Sequence, residues 1–212
     1  MIKSVLGAPD HIHPFYLGDN SGQLLKAIPG SQVPPESRIR YFHYKVAHEH
    51  LAGMNGTRLG ERYMDILSRN LSNDTGIGSE WVELPDLWLF IRTLVFRAST
   101  EAICGSFLLS LNPTLAEDFW AFNHNVPKLL KGIPRWLAPG AYRSRDKMLI
   151  AIKKWHNFAN SHSDGYKTGP DDPEWDPYFG SKYIKARQKF LNEIEVMDDD
   201  CRASEDLGFL FG

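Results

Sequence analysis

Apolar residues recur every three or four positions through the middle of the chain, and this spacing constrains the fold more than any other feature. The clearest stripe consists of Leu84, Leu87, Trp88, Ile91, Leu94, Val95, Ala98 and Ala102. Residues at this spacing share one face of an α-helix, so the stripe predicts a long helix with one buried side. Pro85 and Asp86 suit its first turn, and Gly105 follows its last periodic residues.

The same spacing covers most of the remaining chain. It predicts further helices over about 37–54, 57–71, 115–125, 143–160 and 180–196, with Asn55 and Gly56 separating the first two. Few runs alternate at a period of two, and Val, Ile and Thr do not cluster between turn signals as strands would require. We therefore predict an all-α fold.

The two ends of the chain are less regular than its middle. Residues 1–36 contain scattered glycines and prolines, and residues 206–212 have the pattern of a helix with a buried face that has just begun. We expect residues 1–212 to form a single partial domain, truncated at both ends.

Composition excludes several classes of protein. The 24 Lys and Arg residues are balanced by 26 Asp and Glu, a net charge of -2, so no nucleic-acid partner is expected. The 2 cysteines cannot form a disulfide framework. No signal peptide is recognisable, and no run of about 18 uncharged apolar residues could span a membrane.

One segment, 126–137, mixes cations with apolar residues. Its cations are Lys128, Lys131 and Arg135, and its apolar residues are Leu129, Leu130, Ile133, Trp136 and Leu137. This mixture is typical of a segment that rests on an anionic bilayer surface. A solvated basic helix that packs beside the acidic last part of the chain is the alternative, and the sequence leaves it open.

Sequence signatures of common enzyme classes are missing. There is no GxSxG, GxxxxGK[ST], GxGxxG or HExxH motif. The pairs His11/His13 and His48/His50 are two residues apart, and on a helix such residues point about 200° away from each other. We therefore predict no metal site.

Neither cysteine is expected to act as a nucleophile. Cys104 lies in an apolar run with no adjacent cation, where a buried and inert thiol is the usual outcome. Cys201 follows three aspartates, whose charge raises the pKa of a thiol.

One predicted helix carries a mixed aromatic and cationic face. Tyr41, Tyr44, Lys45 and His48 are spaced i, i+3, i+4 and i+7, so they share one side. Such a face suits the carboxylate or phosphate of a ligand. A partly exposed surface whose residues pair with one another is the structural alternative.

Four segments, in their order along the chain, resemble a cytochrome P-450. They are 15–22 (FYLGDNSG), 38–45 (RIRYFHYK), 96–105 (FRASTEAICG) and 202–208 (RASEDLG). The resemblance is closest to fungal haem-thiolate monooxygenases of the group that includes sterol 7α-hydroxylases and prostacyclin synthase. It implies a partial fold of this family, from the B–C region to the start of helix I, with residues 37–54 as helix C and 84–105 as helix E.

The resemblance implies an activity for the full-length relative. That protein would bind haem b, take electrons from an NADPH-dependent reductase and use O2 to hydroxylate an apolar substrate such as a sterol, a fatty-acyl chain or a secondary metabolite. It would lie on the cytosolic face of the endoplasmic reticulum membrane. In such relatives the counterpart of segment 126–137 contacts the lipid.

Parts of the family pattern are absent. The loop with the axial cysteine matches neither Cys104 nor Cys201, and the Glu-x-x-Arg motif does not occur. We therefore predict no catalytic residue in this chain and expect the chain alone to be inactive, because the thiolate supplies electron density to the haem iron. The other hypothesis is a non-catalytic helical binding domain at a membrane surface.

The resemblance also implies a set of residues that contact haem. Trp88-x-x-x-Arg92 has the spacing of the family's propionate-binding pair, but it falls in the segment that resembles helix E. The counterpart in the segment that resembles helix C is Tyr44-x-x-x-His48, with Lys45 beside it. Tyr44, Lys45 and His48 are thus the predicted cofactor-binding residues.

Overall fold

A computed structural model describes residues 2–74 and 81–211, which form a mainly helical structure. The helices are α1 (His13–Gly18), α2 (Ile39–Leu51), α3 (Gly53–Asp74), α4 (Leu87–Cys104), α5 (Ser106–Leu111), α6 (Leu115–Leu130), α7 (Pro139–His162), α8 (Lys182–Glu193) and α9 (Asp199–Phe211). Two short strands, β1 (Trp175–Asp176) and β2 (Gly180–Ser181), pair antiparallel. The predicted all-α class is therefore confirmed.

The boundary between α2 and α3 differs from the prediction. The helix breaks at Ala52, which is extended (φ -120°, ψ 165°), and Gly53 follows with a φ of 57°. Asn55 and Gly56 lie inside α3 instead of separating the two helices. A glycine adopts this left-handed conformation without a steric penalty, so the turn forms at Gly53.

The main core lies where α6 packs along α7. Fully buried side chains from both helices meet there, among them Phe122, Leu129, Met148, Ile152 and Trp155. The Trp155 indole N–H donates to the carbonyl of Tyr178, 2.6 Å away, so the polar atom of this large side chain has a partner. A smaller cluster joins the N-terminal segment to α8 and α9.

Two glycines allow the β hairpin to touch the end of α4. A Cβ at Gly180 would lie 2.3 Å from the carbonyl oxygen of Ile103, and a Cβ at Gly105 would lie 2.5 Å from that of Pro177. Both glycines also have positive φ values, 66° and 87°. This close approach fixes the start of α8, where Ser181 donates to the Ile103 carbonyl at 2.9 Å.

The apolar stripe of α4 is buried over only part of its length. Asp86 caps the helix by accepting from the Leu89 N–H at 2.9 Å, and Phe96, Ala98 and Ala102 are buried. Leu87, Trp88, Ile91 and Val95 are exposed and form the α4 apolar face. The predicted burial therefore holds for the second half of the helix and is wrong for the first half.

None of the helices in the described ranges combines the length and the apolar character that a membrane span needs.

Candidate functional site

The inner side of α2 is fixed by packing against α8. Ile39 and Val46 are buried, and the Phe42 ring stacks on Phe190 with centroids 3.5 Å apart and planes 7° apart. Stacked aromatic pairs contribute about 0.5–1.5 kcal/mol beyond the area they bury. These contacts set the rotation of α2 about its axis and thereby decide which residues face outward.

The three predicted haem-contacting residues lie on the outward side of α2, and we call them the α2 face. Tyr44, Lys45 and His48 are all exposed, and the rings of Tyr44 and His48 stack one helical turn apart with centroids 6.2 Å apart. No residue in the described ranges forms an ion pair with Lys45. Tyr41, the fourth member of the sequence stripe, instead packs under the Arg38 guanidinium at 4.5 Å.

The chemistry of the α2 face fits an anionic group. A phenol O–H, an ammonium and an imidazole N–H can all donate to a carboxylate, and the charged donor gives the strongest of these bonds. Because no residue in 2–74 or 81–211 accepts a hydrogen bond from the side chains of Tyr44, Lys45 or His48, these residues are compatible with the propionates of a haem. The structure brings the three residues together, and their role stays a prediction.

The residues of the Trp88-x-x-x-Arg92 pattern have different surroundings. Trp88 is exposed, while the Arg92 guanidinium lies over the ring of Trp120 at 5.3 Å. Arg92 also lines a cavity of about 770 Å³ between α3, α4 and α6, together with Arg97 and His124. Sequence patterns could not indicate this cavity, because it forms only where three separate helices meet.

Both thiols are buried and protonated at neutral pH. Burial raises the pKa of Cys104, which is 1% exposed in the main core. Burial and a hydrogen bond to Asp198 raise the pKa of Cys201 to about 12. A raised pKa lowers the fraction of each side chain that is in the reactive thiolate form at neutral pH.

A buried polar network holds α2, α7, α8 and α9 together, and sequence reasoning missed it. Asp206 is its centre: one carboxylate oxygen lies 2.8 Å from His156 Nε2 and accepts from Gln188, and the other accepts from Arg187 at 3.2 Å. Burial alone would raise the pKa of Asp206, but the hydrogen bond from His156 and the charge of Arg187 outweigh it and lower the pKa.

The same network reaches α2 through His43. Arg187 donates to His43 Nδ1 at 2.8 Å, so His43 carries its proton on Nε2, which lies 3.1 Å from Glu205. Glu205 also accepts a hydrogen bond from the Tyr16 hydroxyl. Burial works against ionisation of Glu205, yet the contacts with His43 and Tyr16 lower its pKa. His43 thus points inward while the α2 face points outward.

Segment 126–137 divides into a buried and an exposed part. Val126 and Leu129 are in the main core, so the predicted lipid-facing role of Leu129 is wrong. Leu130, Trp136 and Leu137 are exposed, with Trp136 77% accessible, and we call these three residues the loop patch. The nearby Lys131 and Arg135 are both exposed. Arg135 forms an ion pair with Asp146 at 2.7 Å, whereas Lys131 forms no ion pair with any residue in the described ranges.

One histidine of the two pairs considered in the sequence, His11, lies next to Asp198 and Cys201. The three side chains could together hold a metal ion, although the sequence predicts no metal site. These residues come from opposite ends of the chain, and no sequence spacing could have indicated their contact.

Comparison with known proteins gives three curated relatives. The chain is 41% identical over 163 residues to a cytochrome P-450 monooxygenase of Humicola fuscoatra and 43% identical over 162 residues to one of Hormonema carpetanum. These matches cover 76% and 74% of this chain but 28% and 29% of the relatives. A cytochrome P-450 monooxygenase of Penicillium decumbens matches the whole chain at 28% identity, over 39% of its own length.

The chain therefore spans well under half the length of the relatives it matches. No protein-family model and no solved structure matches it.

Proposed function

Because the chain is homologous to one part of fungal cytochrome P-450 monooxygenases, we propose that it forms helices beside the haem of such an enzyme. The identity of 41% to 43% over about three quarters of the chain carries this proposal. The complete enzyme would take electrons from an NADPH-dependent reductase, and its haem b would activate O2 to hydroxylate an apolar substrate. Sterols, fatty-acyl chains and secondary metabolites are the substrate classes, and the cytosolic face of the endoplasmic reticulum is the proposed location.

Within that enzyme, the α2 face would bind the haem propionates. Lys45 supplies the positive charge, and Tyr44 and His48 supply further hydrogen-bond donors on either side of it along the helix. The axial thiolate would come from a part of the enzyme other than this chain, because neither Cys104 nor Cys201 lies in the sequence pattern of the family's axial-cysteine loop.

A chimeric enzyme tests the role of the α2 face. In it, the whole chain replaces the matching segment of the Penicillium decumbens relative, whose similarity includes α2. Lys45→Ala should weaken haem binding about tenfold, because a hydrogen bond to a charged group contributes about 1.5–3 kcal/mol when shielded and less when solvated. Haem transfer to an acceptor protein measures the change.

Lys26→Ala is the matched control, because Lys26 is also an exposed lysine but lies outside α2. Equal haem affinity in the chimeras with Lys45→Ala and Lys26→Ala would show that the α2 face is not part of the haem site.

We further propose that the loop patch contacts an anionic membrane surface. Its three apolar side chains are already exposed, and each cation near an anionic surface contributes about 1 kcal/mol. Trp136→Ala should lower binding of the chain to anionic vesicles about tenfold, since burial of a large apolar side chain contributes about 1.5–3 kcal/mol.

Cosedimentation with vesicles measures this binding. Lys131→Ala should weaken it more than Arg135→Ala, because the charge of Arg135 is partly offset by Asp146. Trp81→Ala is the control, since Trp81 is fully exposed but flanked by Glu83 and no basic residue. Equal losses in the Trp81 and Trp136 variants would contradict a specific contact through the loop patch.

A further inference from the structure

Three ligand atoms of different chemical types converge where the N-terminal segment meets the start of α9. His11 Nε2 lies 3.4 Å from Asp198 Oδ2 and 3.5 Å from Cys201 Sγ, and all three atoms lie within 4.8 Å of one another. From this geometry we infer that His11, Asp198 and Cys201 bind a Zn²⁺ ion, with water as the fourth ligand. The inference is independent of the proposed function.

The two distances from His11 Nε2 are close to the edges of a zinc tetrahedron. Zinc binds imidazole nitrogen at about 2.05 Å, thiolate at about 2.3 Å and carboxylate oxygen at about 2.1 Å. With tetrahedral angles, these lengths place N and S about 3.6 Å apart and N and O about 3.4 Å apart. Both observed distances agree closely with these values, and the remaining pair, Asp198 Oδ2 and Cys201 Sγ, lies within 4.8 Å.

In the metal-free chain the carboxylate of Asp198 is shared by the other two groups. The Cys201 thiol hydrogen-bonds to Asp198, and His11 Nε2 faces Asp198 Oδ2 at 3.4 Å. Zn²⁺ would take the place of the hydrogens between these groups and bind all three ligand atoms.

The cluster also differs from a catalytic Cys–His–Asp triad. In such a triad the two partners contact different ring nitrogens, so that the histidine relays a proton between them. Here both partners lie at one nitrogen, and the arrangement suits coordination instead of proton transfer.

The surroundings hold two of the ligands in place. Asp198 accepts from the Cys201 backbone N–H through Oδ1 at 2.9 Å, which caps α9 and leaves Oδ2 for the metal. Cys201 is fully buried in the cluster with Ile12, Leu191 and Met197, which gives the site an apolar floor. His11 and Asp198 are about half exposed, so water can reach the outer side of the ion.

Neighbouring charges leave the site accessible to a cation. Asp199 pairs with Arg202, and Asp200 pairs with Lys153 at 2.7 Å, so these two basic side chains are held by carboxylates other than that of Asp198. Imidazole, thiolate and carboxylate together favour Zn²⁺ over the hard cations Mg²⁺ and Ca²⁺. On binding, the Zn–S bond forms as the thiol proton passes to solvent.

Metal titration of the reduced, tag-free 212-residue chain tests the inference. Calorimetry should show one equivalent of Zn²⁺ bound, and Co²⁺ used as a probe should give tetrahedral d–d bands with a thiolate-to-cobalt charge-transfer band. Cys201→Ala should abolish that band. Loss of an outer-shell partner alone weakens metal binding about 10- to 100-fold, so loss of a ligand should weaken Zn²⁺ binding more than about 100-fold.

Two further variants, which should disturb the fold less, test the inference even if Cys201→Ala does not fold. His11→Ala removes a half-exposed side chain, and Asp198→Asn keeps an oxygen that can cap α9. Both should lose Zn²⁺ binding, whereas His48→Ala and Asp199→Asn should keep it. Zn²⁺ affinity unchanged in the His11 or Asp198 variant, or a cobalt complex without the thiolate band, would overturn the inference.

Discussion

Asp206→Ala is expected to lower the free energy of unfolding by about 3–5 kcal/mol, because it removes the nearer of the two carboxylates that face the buried guanidinium of Arg187 and leaves only Glu205, at 3.9 Å. Arg187 is 5% exposed at its side chain, and Asp206 is 1% exposed. A typical domain has a total stability of about 5–15 kcal/mol, so the variant should lose most of it. Urea unfolding followed by circular dichroism measures the change.

Asp199→Ala provides the matched control on the same helix. Asp199 is 66% exposed and its ion pair with Arg202 lies in water, where such pairs contribute about 0–1 kcal/mol. A loss at Asp206 no larger than the loss at Asp199 would show that the buried network does not hold α9 in place.

The network also predicts the response of the chain to acid. The pKa values of Asp206 and Glu205 lie below their ordinary values of 3.8 and 4.5, so both carboxylates stabilise the folded state while ionised. That contribution is complete above the ordinary values and is lost as the pH falls through the lowered ones. The wild-type chain should therefore lose stability in acid, and Asp206→Ala should show a weaker dependence on pH over that range.

The second large effect concerns self-association through the α4 apolar face. Leu87 and Trp88 are 60% and 66% exposed, and Ile91 and Val95 lie one and two turns further along the helix. In the complete enzyme we propose that other parts of the protein cover this face. The isolated chain should instead associate through it, because contiguous exposed apolar surface favours contact with a second copy.

Replacing Trp88 and Ile91 with glutamine should weaken this association about 100-fold, since two large apolar side chains would no longer be buried between copies. Sedimentation velocity measures the monomer fraction. Ile150→Gln is the control, because Ile150 is 63% exposed on α7 but is not part of the α4 apolar face. Equal association of the double variant and the wild-type chain would place the contact elsewhere.

The helices were predictable because their signals are local. The stripe of α4 and its Asp86 cap need only residues three or four positions apart. The sequence predicts the break between α2 and α3 at Asn55 and Gly56, whereas the structure has it at Gly53. Either glycine could form the turn, so the sequence does not distinguish the two positions. The predicted end of α6, at about residue 125, is too early, since the helix continues through Pro127 to Leu130.

The candidate sites depended on contacts that no local pattern contains. The α2 face was predictable as a stripe, because its three residues lie within four positions. Asp206, Arg187 and His156 come from three helices, and their network becomes visible only when those helices pack. His11 and Cys201 are 190 positions apart, so the zinc ligands were likewise invisible to an argument from spacing.

We propose that this chain is one part of a haem monooxygenase whose thiolate ligand comes from another part. The absorption spectrum of the reduced carbonyl complex, recorded for the Penicillium decumbens chimera and for the isolated chain after addition of haem, tests this proposal. We predict a thiolate-type band from the chimera and none from the isolated chain. A thiolate-type band from the isolated chain, or a folded chimera that binds no haem, would contradict the claim.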